Sequence, residues 1–79
     1  MIIKKNSTRK QKEFLILCGE INKQLIDFIG GVRAIDVTNF QDQKVRLKIL
    51  RYLRRAGWKA EMYSDRDEAV DCIRFGDRL

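Results

Sequence analysis

The chain has 79 residues, neither histidine nor proline, and a formal net charge of +6, so one domain with a thin core is expected. The missing histidine excludes Ser–His and Cys–His nucleophile pairs, imidazole acid–base catalysis and the commonest zinc ligand, and no cofactor is expected. Two distant cysteines, no signal peptide and no long apolar run predict a cytoplasmic protein with free thiols and no membrane segment.

The first twelve residues carry five cations and no acid. Residues 1–8 are expected to form a flexible basic arm or a short edge strand ahead of a single globular domain over 9–79. Cations at the start of a helix meet the positive end of its dipole, so an anionic partner would explain their placement. The residues of this region predicted to contact phosphate are Lys4, Lys5, Arg9 and Lys10.

The first predicted element is a helix from about Arg9 to Ile29. Thr8 and Gln11 have the spacing of a capping box, and the apolar residues that follow recur at the i, i+3/i+4 interval of an amphipathic helix. Gly19 costs about 1 kcal/mol in a helix interior and indicates close packing at that point. Gly30-Gly31 then ends the helix, because glycine accepts the left-handed conformation found there.

A strand over Val32–Val37 leads into the most basic part of the chain, a helix predicted over 42–57. Residues 42–59 hold seven cations and one acid, so they carry the same net charge as the whole protein. Helical geometry places four of these cations in one stripe, with no acid among them to form ion pairs. A stripe that repels itself favours an anionic partner over the alternative of a merely solvated surface. The cations of this helix predicted to contact phosphate are Lys44, Lys48, Arg51, Arg54 and Arg55.

The tail that follows the strand Trp58–Tyr63 has two interpretations. In the favoured one, residues 64–75 form a helix with acids in its first turn, which gives an α/β domain of order (β)αβαβα with two or three parallel strands. In the alternative, Ser64–Glu68 is a hairpin loop and Ala69–Phe75 a returning strand, which gives an α+β domain of order αβαββ.

Under the hairpin alternative, the sequence ILRYLRRAGWKAEMYSD at positions 49–65 resembles the passage from recognition helix to wing in a winged-helix domain. This resemblance covers less than half of the chain and implies an αβαββ arrangement in which helix 42–57 is the recognition helix. The chain departs from the family pattern, because residues 31–40 leave no room for the helix that precedes the recognition helix.

Three functional hypotheses follow from these features. The first is a small non-enzymatic nucleic-acid-binding protein that acts through helix 42–57, with RNA favoured over DNA because no complete DNA-reading motif is present. The second is a regulatory inhibitor or antitoxin-like factor, of the kind that phages and mobile elements encode, that docks on an acidic protein surface. The third is a nuclease with a magnesium site, although acids at a helix start explain the same cluster more simply. Its candidate ligands are Asp36, Asp65, Asp67, Glu68 and Asp71.

The neighbours of the basic stripe lead to two further expectations. Residues 61–79 carry a net charge of −3, so they can pair with the stripe within one chain or between the two chains of a homodimer. Tyr52, Trp58 and Tyr63 lie in or near the basic segment, where aromatic rings can stack on nucleic-acid bases. Tyr52 and Trp58 are nevertheless expected to belong to the core.

Overall fold

The computed structural model of the protein describes residues 4–79, and its elements follow the order α–β–α–β–β. The elements are α1 (Arg9–Ile26), β1 (Val32–Asp36), α2 (Gln43–Arg55), β2 (Lys59–Asp65) and β3 (Val70–Gly76). The strands form one antiparallel sheet in the order β1–β3–β2, and both helices contribute to the core that covers one of its faces. The predicted mixture of helices and sheet is therefore confirmed, in the α+β form.

The tail forms the returning strand of a hairpin, so the favoured helix over residues 64–75 is wrong, and so are the parallel strands. β3 occupies the centre of the sheet, where Ile73 and Phe75 are fully buried between β1 and β2. Asp65 accepts hydrogen bonds from the N–H groups of Asp67 and Glu68 and so stabilises the turn between β2 and β3. An Asp side chain can cap a helix or stabilise a tight turn, because in both cases it accepts hydrogen bonds from nearby N–H groups. The residues around Asp65 therefore did not distinguish a helix from a hairpin, and the pairing of β3 with β1 made the tail a strand.

The order αβαββ is the one that the winged-helix resemblance implies. The departure from that family is the expected one, the lack of a helix directly before α2. Within the described chain no helix lies between β1 and α2, in residues 37–42. Asp42 is the N-cap of α2, and its carboxylate accepts hydrogen bonds from the N–H groups of Lys44 and Val45. Thr38 does not cap α2; its hydroxyl donates to Asp36 and accepts from the N–H of Asp71, which attaches the connection to β3.

Helix α1 begins with the predicted capping box between Thr8 and Gln11. It ends at Ile26, three residues earlier than predicted, and no helix of the described chain is long and apolar enough to cross a membrane. The close packing expected at Gly19 is absent, because a Cβ added there would meet no atom within 4 Å. Of the arm or edge strand predicted for residues 1–8, residues 1–3 lie outside the described residues, and Lys4–Ser7 form a turn.

Arg46 is the only buried charged residue in the part of the chain that the structure describes, with 4% of its surface exposed. Its guanidinium donates to the carbonyl oxygens of Val37 (2.7 Å) and Phe40 and forms a salt bridge with Asp71 (3.1 Å). These acceptors belong to the connection between β1 and α2 and to β3. Arg46 therefore joins three parts of the molecule: α2 itself, the connection between β1 and α2, and the central strand β3.

We expect Arg46→Met to lower the free energy of unfolding by about 2–4 kcal/mol, because it leaves buried carbonyl groups and a carboxylate without their donor. The matched control is Arg51→Met, which removes an exposed guanidinium from the same helix and should change stability by less than about 0.5 kcal/mol. Urea unfolding followed by circular dichroism measures both. Equal effects of the two substitutions would contradict the structural role of Arg46.

A second prediction concerns Gly76, which pairs with both Val32 and Lys59 across the sheet. A Cβ at this position would overlap the carbonyl oxygen of Gly31, so Gly76→Ala should destabilise the fold by more than about 2 kcal/mol. Gly19→Ala is the opposite case, because open space and a helical backbone predict stabilisation by about 0.5–1 kcal/mol. Thermal unfolding should show a fall in Tm for Gly76→Ala and a rise for Gly19→Ala. A rise in Tm for both variants would contradict the close approach of Gly76 to the carbonyl oxygen of Gly31.

Candidate nucleic-acid interface

Four cations of α2 lie on the face that points away from the core. The buried residues of the helix are Val45, Arg46, Ile49, Leu50 and Leu53. At about 100° per residue, the positions on the opposite side are those of the predicted stripe, and all four are exposed. We define the basic stripe as Lys44, Lys48, Arg51 and Arg55.

The acidic C-terminal residues 61–79 do not cover the basic stripe. Asp71 pairs with the buried Arg46, and Glu61 pairs with Arg74 at 3.5 Å on the sheet. Within residues 4–79, no residue of the stripe forms a salt bridge. The stripe thus keeps its full positive charge toward solvent in the single chain.

A groove of about 410 Å³ lies beside the stripe, between the start of α1 and the start of α2. Phe14, Leu15 and Val45 provide its apolar lining, and Ser7 and Gln11 add polar groups. Its cationic residues come from both predicted groups, the N-terminal region and the basic helix. They are Lys4, Lys10, Lys44 and Lys48, and we call this site the lysine groove.

Two of these lysines have contacts with neighbouring side chains. The ammonium of Lys48 lies 4.5 Å from the centre of the Phe14 ring, and that of Lys10 lies 3.4 Å from the carboxylate of Asp42. Desolvation opposes ionisation of Asp42, but hydrogen bonds from the N–H groups of Val45 and Lys44 and the charge of Lys10 outweigh it. The pKa of Asp42 is therefore below its ordinary value. The N-cap of α2 and one wall of the groove thus depend on the same carboxylate.

The other predicted phosphate contacts lie outside the lysine groove. Arg9 forms a salt bridge with Glu13 at 3.2 Å, while Lys5 is exposed. The guanidinium of Arg54 donates two hydrogen bonds, of 2.9 and 3.3 Å, to the carbonyl oxygen of Ala60 and so attaches α2 to β2. Arg54 consequently has a structural contact that its position in the sequence did not reveal.

A second groove, of about 360 Å³, adjoins the first and is mainly apolar. Phe14 and Leu15 line both grooves, while Tyr52 and Trp58 line only the second, which we call the apolar groove. Trp58 is partly buried against the core as predicted, and its ring meets that of Phe28 edge-on at 4.9 Å. Tyr52 is 50% exposed, so its assignment to the core was wrong. Its ring is tilted against Phe14 at 5.3 Å and leaves one side to solvent.

Three of the five acids considered as magnesium ligands, Asp36, Asp65 and Asp71, accept hydrogen bonds from other residues of the chain. In the chain from Lys4 onward, no group of three or more His, Cys, Asp or Glu side chains lies close enough to hold a metal ion. Hydrogen bonds from the hydroxyl and N–H of Thr38 lower the pKa of Asp36, and Asp71 accepts from Arg46 and Ser64. These contacts stabilise the β1–α2 connection and the hairpin.

Both cysteines are free and partly buried. Cys18 lines the apolar groove, where burial raises its pKa and the nearby charge of Lys48 lowers it less. Cys72 lies in β3, where burial and then the charges of Asp36, Asp71 and Asp65 raise its pKa. A raised pKa leaves less of the reactive thiolate at neutral pH.

Comparisons of the chain with protein-family models, with curated proteins and with solved structures found no match. Its function is therefore inferred from the geometry and charge of the stripe and the two grooves.

The lowered pKa of Asp42 predicts how stability depends on pH. A carboxylate whose pKa is lower in the folded state stabilises the fold above its unfolded-state pKa, and this contribution is lost as the pH falls through the folded-state pKa. Asp42→Asn keeps a side chain that can cap α2 but removes the charge. We therefore expect the wild type to lose more of its free energy of unfolding on acidification than Asp42→Asn does. Urea titrations across the acid range measure this, with Asp67→Asn in the β2–β3 turn as control; parallel curves for wild type and Asp42→Asn would contradict it.

Proposed function

We propose that the protein is a small, non-enzymatic nucleic-acid-binding protein that holds a phosphate backbone against the outer face of α2. The observation that carries this proposal is the convergence of Lys4 and Lys10 with Lys44 and Lys48 in one groove. The four lysines outnumber the one carboxylate paired with them, that of Asp42, so the groove is positively charged. A polyanion is attracted to such a surface and gains free energy by releasing its condensed counterions into solution.

The basic stripe extends this site along the helix. Arg55 lies eleven positions after Lys44, a distance of about 16 Å along the axis of α2. A backbone that enters at the lysine groove can therefore continue over Arg51 and Arg55, with several phosphates in contact. The exposure of all four stripe residues, without an intramolecular salt bridge among residues 4–79, supports this path.

RNA is favoured over duplex DNA as the ligand. Helix-turn-helix proteins seat the recognition helix in the major groove with the help of a preceding helix, and residues 37–42 contain none before α2. RNA recognition relies more on unpaired segments, which offer phosphates and unstacked bases to a cationic surface with exposed rings. The half-exposed Tyr52 beside the stripe suits such a ligand.

Fluorescence anisotropy with labelled RNA and DNA over a range of salt concentrations tests the proposal. If about four phosphates are engaged, log K should fall with log[salt] with a slope of about −3 to −4. The double variant Lys44→Ala/Lys48→Ala should weaken binding and make the slope shallower by roughly one for each lysine–phosphate pair that it removes. Lys59→Ala, which removes an exposed lysine outside both grooves, is the control and should leave the slope unchanged.

Absence of affinity for every nucleic acid at low salt would contradict the proposal and favour a second candidate, a regulator that docks α2 on an acidic protein surface. The observation behind this candidate is Leu47, which is 50% exposed at the edge of the stripe. Helices that bind protein grooves use such apolar anchors between charged residues. Recovery of one stoichiometric protein partner after nuclease treatment, abolished by Leu47→Asp, would support it.

A further inference from the structure

The two grooves adjoin each other and differ in charge, because lysines line the first and no charged side chain lines the second. They share Phe14 and Leu15, one is lined by four lysines, and the other is lined mainly by apolar side chains. Each has a volume of the order found in small-ligand sites. A ligand that fills both is favoured if it carries an anionic group beside the lysines and an uncharged part in the adjoining groove.

The apolar groove also has polar groups in its lining. Asn22 and Tyr52, both exposed, supply an amide and a hydroxyl group. A nucleobase has both a flat aromatic face and a hydrogen-bonding edge, so it satisfies the rings and the polar groups together.

The aromatic rings of the groove differ in how much of their surface a ligand can reach. The Phe14 ring is in contact with the ammonium of Lys48 and the tilted ring of Tyr52. Tyr52 is half-exposed, and Trp58 is partly buried with its ring against Phe28. The accessible stacking surface is therefore that of Tyr52, with Trp58 as a neighbour in the same groove.

We propose that the two grooves bind single-stranded nucleic acid, with the backbone on the lysine groove and an unstacked base in the apolar groove against Tyr52. This inference rests on the proposed function and adds to it the strandedness of the ligand and the residues that contact its base. Stacking of this kind tolerates different bases, because every base has a π-face.

The test compares a short oligouridylate RNA with an abasic ribose-phosphate oligomer of the same length, which has the same phosphates and no bases. Trp58 is the only tryptophan of the chain, so intrinsic fluorescence reports on the apolar groove. We expect both oligomers to bind in an anisotropy assay, the RNA at least about tenfold more tightly, and only the RNA to quench Trp58.

Two variants assign the base contact. Tyr52→Ala should weaken RNA binding about tenfold and leave binding of the abasic oligomer unchanged, and Asn22→Ala, at an exposed position, should weaken RNA binding alone. Tyr63→Ala, which removes the other half-exposed tyrosine outside both grooves, is the matched control. Equal affinity for the two oligomers with unchanged Trp58 fluorescence would overturn this inference and leave the proposed function standing. Failure of both oligomers to bind would overturn both.

Discussion

The buried guanidinium of Arg46 is the interaction on which the arrangement of the molecule depends. A buried charge is costly unless its hydrogen bonds are satisfied, and Arg46 satisfies its own with the carbonyl groups of Val37 and Phe40 and the carboxylate of Asp71. Together with the buried apolar residues of α2, the side chain sets the rotation of α2 about its axis against the centre of the sheet. With that rotation fixed, the opposite side of α2, which is the basic stripe, must face solvent.

The cations of the basic helix consequently have different roles, although they are identical in charge. Arg46 belongs to the core, and Arg54 holds α2 to β2 through the carbonyl of Ala60. Arg51 and Arg55 remain on the outer face, while the neighbouring lysines line a groove. Local charge density therefore overstates the number of phosphates that the helix can contact, because Arg46 is buried and some N–H donors of Arg54 are occupied by the backbone.

The sequence predicted both helices and β1 to within a few residues, because periodicity and capping spacing are local properties. It favoured the wrong structure for the tail, since Asp65 serves equally well in a helix start and in a turn. What decided the tail was the burial of Ile73 and Phe75 between two other strands. Pairing with β1 depends on residues about forty positions away, so the local strand pattern of the tail alone could not decide against a helix.

In the candidate site, too, some features were determined by the sequence and others only by the tertiary structure. The basic stripe was determined by the sequence alone, because spacing on a helix fixes which side chains share a face. The lysine groove was decided only by the tertiary structure, because Lys10 meets Lys44 through the packing of α1 against α2. The exposure of Tyr52 was decided in the same way, since Phe14 covers only part of its ring. Helical geometry is set by neighbours along the chain, whereas a groove is set by which surfaces bury each other.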